Sequence, residues 1–88
     1  MDARSIRQAM VDGLEAGAVT RISRRDTRSS FLAGEIDIPL AELEMDSLAR
    51  MELCIAIELG TGVSLAPEEL DRYPTLEALV RDVQERAR

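Results

Sequence analysis

The chain has 88 residues, a formal net charge of −6, one cysteine and no histidine. This length predicts one small domain, residues 1–88, with a single economical core. One cysteine excludes an internal disulfide, and without histidine neither a catalytic triad nor a metal site is expected. No run approaches the ~20 apolar residues that a membrane-spanning helix needs, so no membrane span is expected. The single cysteine fits a reducing cytoplasm, and we also expect a monomer.

Charge is distributed unevenly along the chain. Residues 1–34 carry six arginines and four acids, residues 35–71 one arginine and ten acids, and residues 72–88 four arginines and three acids. The acidic block in the middle argues against nucleic-acid binding, which requires a basic face. It favours basic partner surfaces, although a merely solvated acidic face has the same composition.

The first predicted helix lies in SIRQAMVDGLEAGAV, where apolar residues recur every four positions and share one face. These residues are Ile6, Met10, Leu14 and Ala18. Asp2 or Ser5 is placed to cap the start of the helix. Gly13 and Gly17 each weaken a helix by up to about 1 kcal/mol relative to alanine, so we expect the helix to end near Thr20.

The next segment, TRISRRDTRSS, predicts a solvated loop because it offers no apolar stripe, with a basic binding patch as the alternative. Its arginines are Arg21, Arg24, Arg25 and Arg28. From Ser30 to Glu44, glycine, proline and isolated apolar residues predict an irregular segment pinned to the core, with room for one helical turn. The pinning side chains are Phe31, Leu32, Ile36, Ile38, Leu40 and Leu43.

The second predicted helix is capped by Asp46 and runs to Gly60, where GTG supplies a stop. Its apolar residues form two stripes roughly 130° apart. The first stripe is Ala49, Leu53, Ala56, Ile57 and Gly60, and the second is Leu48, Met51, Ile55 and Leu59. One stripe suffices for the core, so the second is either packed under a loop or exposed to a partner.

Polar residues of this helix add two expectations. Glu52 and Glu58 flank the second stripe, and acids around an apolar centre are typical of a docking surface. Cys54 falls between the stripes with no histidine or lysine beside it to lower its pKa, which favours a packed thiol.

Two shorter patterns complete the chain. Pro67 begins a helix of one or two turns with Glu68 and Glu69 in its first turn. Thr75 caps a final amphipathic helix. Its apolar residues are Leu76, Leu79, Val80 and Val83. The sequence therefore predicts an all-α fold of four helices, with a long first loop and a short third helix.

The stretch LEMDSLARMELCIAIE, from Leu43 to Glu58, resembles the acyl carrier proteins, whose hallmark is Asp-Ser-Leu at the start of the second helix. Leu43 before the serine, and Met51, Glu52, Leu53 and Ile55 after it, are similar to the family's pattern. The segments 63–65, 67–69 and 75–76 are also similar, so that the resemblance covers residues 40–83. It implies the acyl-carrier-like four-helix bundle.

The same resemblance implies that Ser47 receives a 4'-phosphopantetheine arm from coenzyme A through a phosphopantetheinyl transferase. The thiol of the arm would hold acyl groups as thioesters for partners such as acyltransferases, ketosynthases or acyl-activating enzymes. The chain itself is then a carrier and not an enzyme. A helix N-terminus favours the bound phosphodiester anion. Asp46 opposes that anion, which suggests a role for its carboxylate in transferase recognition.

The resemblance also implies a partner-recognition surface on the second helix. Its residues are Asp46, Leu48, Arg50, Met51, Glu52, Ile55 and Glu58. Ala49, Arg50, Leu59 and Gly60 depart from the fatty-acid carriers, and the first loop is longer. These departures favour a stand-alone carrier of a dedicated pathway, such as a polyketide route, with Arg50 selecting a partner. Drift on a tolerant surface is the alternative.

Two other interpretations stay open. An aminoacyl or peptidyl carrier uses the same arm but usually has a G-G-x-S stretch, which EMDSL lacks. A helical adaptor that never receives the arm would also explain a helix with two apolar stripes.

Overall fold

The computed structural model describes residues 1–87, which fold into five α-helices and two 3-10 helices. The α-helices are α1 (Ala3–Ala16), α2 (Thr20–Ser23), α3 (Arg25–Leu32), α4 (Ser47–Thr61) and α5 (Leu76–Arg86). The first 3-10 helix is Leu40–Leu43 and the second is Pro67–Arg72. Within residues 1–87 the sole β pairing is an isolated bridge between Pro39 and Thr75. The prediction of an all-α fold is confirmed.

Side-chain caps set the start of the three longest helices. Asp2, Asp46 and Thr75 each accept a hydrogen bond from the backbone N–H three residues later. These bonds satisfy N–H groups that lack a partner within the helix. Helix α4 ends one residue beyond the predicted end, because Gly62 adopts the left-handed conformation (φ 78°) and donates its N–H to the Glu58 carbonyl.

Helix α1 is shorter than predicted. It ends at Ala16, and Ala18 is exposed in the left-handed conformation (φ 57°). The Val19 N–H donates to the Leu14 carbonyl and the Ala18 N–H to the Glu15 carbonyl, both at 3.0 Å, which is the Schellman arrangement. The assignment of Ala18 to the buried face of this helix was therefore wrong.

The predicted loop over residues 21–28 is also wrong, because helices α2 and α3 occupy this segment. Ile22 on α2 and Phe31 on α3 are both 0% exposed. Helices of this length are marginal in isolation, so each one depends on a large apolar side chain that is buried in the core. No stripe was visible because the two anchors are nine residues apart.

Two of the arginines in this segment form ion pairs. Arg21 lies 3.2 Å from Glu42 in the first 3-10 helix, and Arg28 lies 2.9 Å from Glu15 on α1. All four side chains are at least one third exposed, so each pair contributes about 1 kcal/mol or less.

The segment from Ser30 to Glu44 is partly as predicted. Phe31, Ile38 and Leu43 are buried, and the first 3-10 helix supplies the helical turn. Ile36 is 37% exposed and does not pin the segment. The Leu76 N–H donates to the Ile38 carbonyl at 2.9 Å, which ties this segment to the start of α5.

Helices α1 and α4 approach each other through glycine and alanine. The residues at this crossing are Ala9 and Gly13 of α1, Gly17 directly after its end, and Ala49, Ala56 and Gly60 of α4. A Cβ atom added at Gly13 would lie 2.8 Å from the Ala56 Cβ and 2.8 Å from the Leu53 Cα. One added at Gly17 would lie 2.8 Å from the Ala49 Cα. Gly13, which weakens α1 as an isolated helix, and Gly17, the residue that caps its C-terminus, therefore permit the close contact with α4.

The core is apolar throughout. Within residues 1–87, no polar or charged side chain is buried, and Leu76, Leu79, Val80 and Val83 on α5 are at most 1% exposed. Helix α5 is also held by Arg7, which donates to both carboxylate oxygens of Glu77 at 2.7 and 3.1 Å. No helix in the described part of the chain is long and apolar enough to cross a membrane.

We expect Gly13→Ala to lower the free energy of unfolding by about 1–3 kcal/mol, because the new methyl group overpacks the crossing. Alanine propensity alone would raise it by about 1 kcal/mol, so the sign of the change decides between the two effects. Gln8→Ala, at an exposed site on the same helix, is the control and should change stability by about 0.5 kcal/mol or less. Urea denaturation measures both, and a stabilised Gly13→Ala variant would contradict the close contact.

Candidate functional site

The first apolar stripe of α4 faces the core. Ala49 is 2% exposed, and Leu53 and Ile57 are 0% exposed. Ala56 and Gly60 meet α1 at the crossing. The sequence assigned this stripe to the core, and its buried residues confirm the assignment.

The second stripe is on the surface. Leu48 is 61% exposed, Met51 50%, Ile55 47% and Leu59 83%. These four large apolar side chains form a contiguous patch on one face of the helix. Exposed apolar patches of this kind are typical of interaction sites. We call these four residues the exposed stripe. The structure resolves the choice that the sequence left open, because no loop within residues 1–87 covers the exposed stripe.

Acidic side chains border the exposed stripe. Glu58 is exposed on the edge that also carries Ser47, and Glu52, on the other edge, is half-buried. Asp46 is exposed at the N-terminal end of the helix. Seven recognition residues were expected. The structure places five of them, Leu48, Met51, Glu52, Ile55 and Glu58, on one face of α4. Asp46 lies at the N-terminal end of the helix beside Gly17 and Ala49, and Arg50 also lies apart.

Ser47 is the first residue of α4, and it is exposed. The Asp46 carboxylate accepts the Ala49 N–H at 2.8 Å, and the Asp46 carbonyl accepts the Arg50 N–H at 3.0 Å. Within residues 1–87, the N–H groups of Ser47 and Leu48 have no acceptor. The hydroxyl of Ser47 therefore lies on the surface beside free N–H groups at the positive end of the helix dipole.

Arg50 points away from the exposed stripe, towards the second 3-10 helix. Its Nη1 atom lies 2.9 Å from Oδ1 of Asp71. The side chains of Arg50 and Asp71 are 33% and 69% exposed, so the pair contributes about 1 kcal/mol or less.

Two open cavities adjoin this ion pair, and Arg50 and Asp71 line both. One, a groove of about 360 Å³, is also lined by Ser47, Met51, Pro67 and Glu68. The other, of about 330 Å³, is also lined by Leu40, Ala41, Glu44, Met45, Leu70, Tyr73 and Pro74. We call the first of these the serine groove. It places a cation and the Ser47 hydroxyl in one depression.

Cys54 is 6% exposed, in agreement with a packed thiol. Burial raises the pKa of this thiol, and the negative charges of Glu69 and Glu68 raise it further. A thiol with a raised pKa is less often the reactive thiolate at neutral pH, so Cys54 is a poor nucleophile.

Sequence reasoning missed Asp71 and the serine groove. Asp71 follows Arg50 by 21 residues, on a different element, so no helical spacing connects them. The available signal was Arg50 itself, a single arginine in the acidic block. A single arginine in an acidic block is expected to pair with one of the acids, but the ten acids of this block do not indicate which one.

In the described part of the chain, no group of three or more histidine, cysteine, aspartate or glutamate side chains is placed to hold a metal ion. A family model described as phosphopantetheine attachment site matches residues 20–83. No curated protein and no solved structure matches the chain significantly. Members of this family covalently carry 4'-phosphopantetheine, and the match confirms the resemblance to the carrier domains of acyl carrier proteins. Because the match spans most of the chain, this protein belongs to the phosphopantetheine attachment site family.

Proposed function

We propose that the chain is an acyl carrier protein in which Ser47 bears the 4'-phosphopantetheine arm. Family membership supports a phosphopantetheine carrier, a class of domain that is generally non-catalytic. The observation that carries the proposal is an exposed serine hydroxyl at the first position of a capped helix, inside the matched range. We further propose that residues 1–88 form a single carrier domain.

The residues around Ser47 fit a phosphodiester. Its negative charge would meet the free N–H groups of Ser47 and Leu48, and Arg50 lines the same groove. One oxygen of Asp46 already accepts the Ala49 N–H, which holds this carboxylate against the helix. Two free N–H groups and the guanidinium therefore supply positive potential beside the carboxylates of Asp46, Glu68 and Asp71, of which Asp71 is paired with Arg50.

The chain presents a nucleophile that another enzyme activates. The Ser47 Oγ atom forms a bond to phosphorus while the pyrophosphate bond of coenzyme A breaks, and adenosine bisphosphate leaves with the electron pair. The hydroxyl proton passes to a base on the transferase, since this chain has no histidine to accept it. When bound, the arm supplies a thiol that holds an acyl group as a thioester.

Partner enzymes are proposed to dock on the exposed stripe and its acidic border. Leu48, Met51 and Ile55 supply an apolar centre, and Asp46 and Glu58 supply charge for arginines and lysines of the partner. Such a contact associates fast and dissociates readily, as delivery to successive enzymes requires. We propose a transferase, acyltransferases, ketosynthases or acyl-activating enzymes as partners. The acidic border favours acyl over aminoacyl cargo.

One of the departures from the fatty-acid carriers, Ala49, has an explanation in the packing of the core. Ala49 departs from the acidic or polar residue of fatty-acid carriers, yet its Cβ would lie 2.9 Å from a Cβ at Gly17. Its small size is a packing requirement of the crossing and says nothing about the pathway. Arg50 and Leu59 are surface departures, and on them we base the proposal of a polyketide or related specialised fatty-acid-type route.

Incubation with coenzyme A and a broad-specificity phosphopantetheinyl transferase should add one phosphopantetheinyl group to the protein, measured by intact-mass spectrometry. Ser47→Ala should abolish the gain, because the variant lacks the nucleophilic oxygen. Ser64→Ala, which removes another exposed serine, is the matched control and should be modified like the wild type. No mass gain, or a gain that survives Ser47→Ala, overturns the proposal.

Met51→Ala should slow acyl transfer from a partner several-fold while leaving the melting temperature almost unchanged, because Met51 is half exposed. Leu53→Ala, on the opposite stripe of the same helix, should instead lower the free energy of unfolding by about 2–5 kcal/mol. Single-turnover transfer assays and thermal melts measure the two effects. A large loss of stability in Met51→Ala would show that the exposed stripe belongs to the core.

Transfer should also slow as the salt concentration rises, because the acidic border acts through screened charges. The comparison is the transfer rate at low and at physiological ionic strength, for wild type and Glu58→Gln. A rate that does not respond to salt in the wild type would remove the electrostatic part of the docking proposal.

A further inference from the structure

Arg50 lies between Asp71, a carboxylate of this chain, and Ser47, the residue proposed to carry a phosphodiester. It follows Ser47 by three residues on α4, a spacing that places two side chains on one face of a helix. Both side chains line the serine groove, whose opposite wall is formed by Pro67, Glu68 and Asp71. In the unmodified chain the guanidinium contacts Asp71 at 2.9 Å.

We propose that Arg50 is the binding residue for the phosphodiester on Ser47, and that modification moves its contact from Asp71 to the phosphate. This inference rests on the proposed attachment at Ser47. It assigns to Arg50 a role within the chain, different from the selection of a partner enzyme.

The energetics favour the exchange. Asp71 is 69% exposed, so its carboxylate is well solvated and loses little when the pair opens. The phosphodiester, in contrast, is held next to the guanidinium by a covalent bond, which raises its effective concentration. Guanidinium groups bind phosphate oxygens through two parallel N–H donors, and the free N–H groups of Ser47 and Leu48 hold the same anion. Glu68, the other acid in the groove, is exposed.

The exchange has a defined structural consequence. Leu70 is 1% exposed, so the second 3-10 helix stays on the core when Asp71 is released. Only its outer edge loses a contact with α4. Arg50 and Asp71 line both cavities beside the pair, so its opening changes the wall of each. The modified chain thus differs from the unmodified chain at residues 67–72.

The test compares apo and holo protein by amide hydrogen exchange and by ³¹P NMR. On conversion to the holo form, exchange of the amides of residues 68–72 should accelerate roughly two- to fivefold, the equivalent of one surface ion pair. The ³¹P resonance of the holo protein should shift in Arg50→Gln relative to the wild type. Complete loading of every sample is confirmed by intact mass before these measurements.

Two variants serve as controls. Arg72→Gln makes the same charge change in the second 3-10 helix but outside the groove, and it should leave the ³¹P resonance and the exchange response as in the wild type. Asp71→Asn breaks the pair without touching Arg50. The amides of residues 68–72 in its apo form should already exchange at the holo rate, and its holo ³¹P resonance should match the wild type.

The outcomes separate the two proposals. Absence of loading defeats the attachment at Ser47, and with it this inference. Complete loading with the same ³¹P resonance and the same exchange response in Arg50→Gln as in the wild type overturns the role of Arg50 alone. A response that is absent in the holo protein and arises only after loading a carboxylated acyl group overturns it too, because the anion would then be the cargo.

Discussion

The close crossing of α1 and α4 determines how the rest of the molecule is arranged. Gly13 and Gly17 leave no room for a Cβ atom, so the backbone of α1 lies against Ala49 and Ala56. At so close a crossing α4 has few alternative rotations about its axis, since turning it would bring larger side chains into the crossing. The crossing therefore decides which side of α4 is buried. Every surface property discussed above depends on that choice.

One helix thereby serves as both core and surface. Leu53 and Ile57 pack inside, while Met51 and Leu59 on the other side stay in contact with water. Exposing apolar side chains to water is unfavourable, and natural proteins keep an exposed apolar patch mainly where a partner covers that patch. The serine hydroxyl and the bordering acids adjoin that surface because they share its helix. Position on α4 thus connects the proposed attachment and recognition sites with the packing of the core.

The sequence predicted what local patterns encode and missed what tertiary contacts create. The caps at Asp46 and Thr75 and the two stripes of α4 follow from spacing alone, and the structure confirms them. Helices α2 and α3 depend on Ile22 and Phe31 reaching a core that the sequence does not locate. The contact between Arg50 and Asp71 joins separate elements, so no periodicity could indicate it.

The burial of Cys54 has a practical consequence for any thiol chemistry performed on this protein. Its single cysteine is 6% exposed and has a raised pKa, so it reacts slowly with electrophiles. In a chain that carries the arm, the terminal sulfhydryl of that arm would be the one accessible thiol. Maleimides and mixed disulfides would then label the prosthetic group selectively, without prior mutation of the polypeptide.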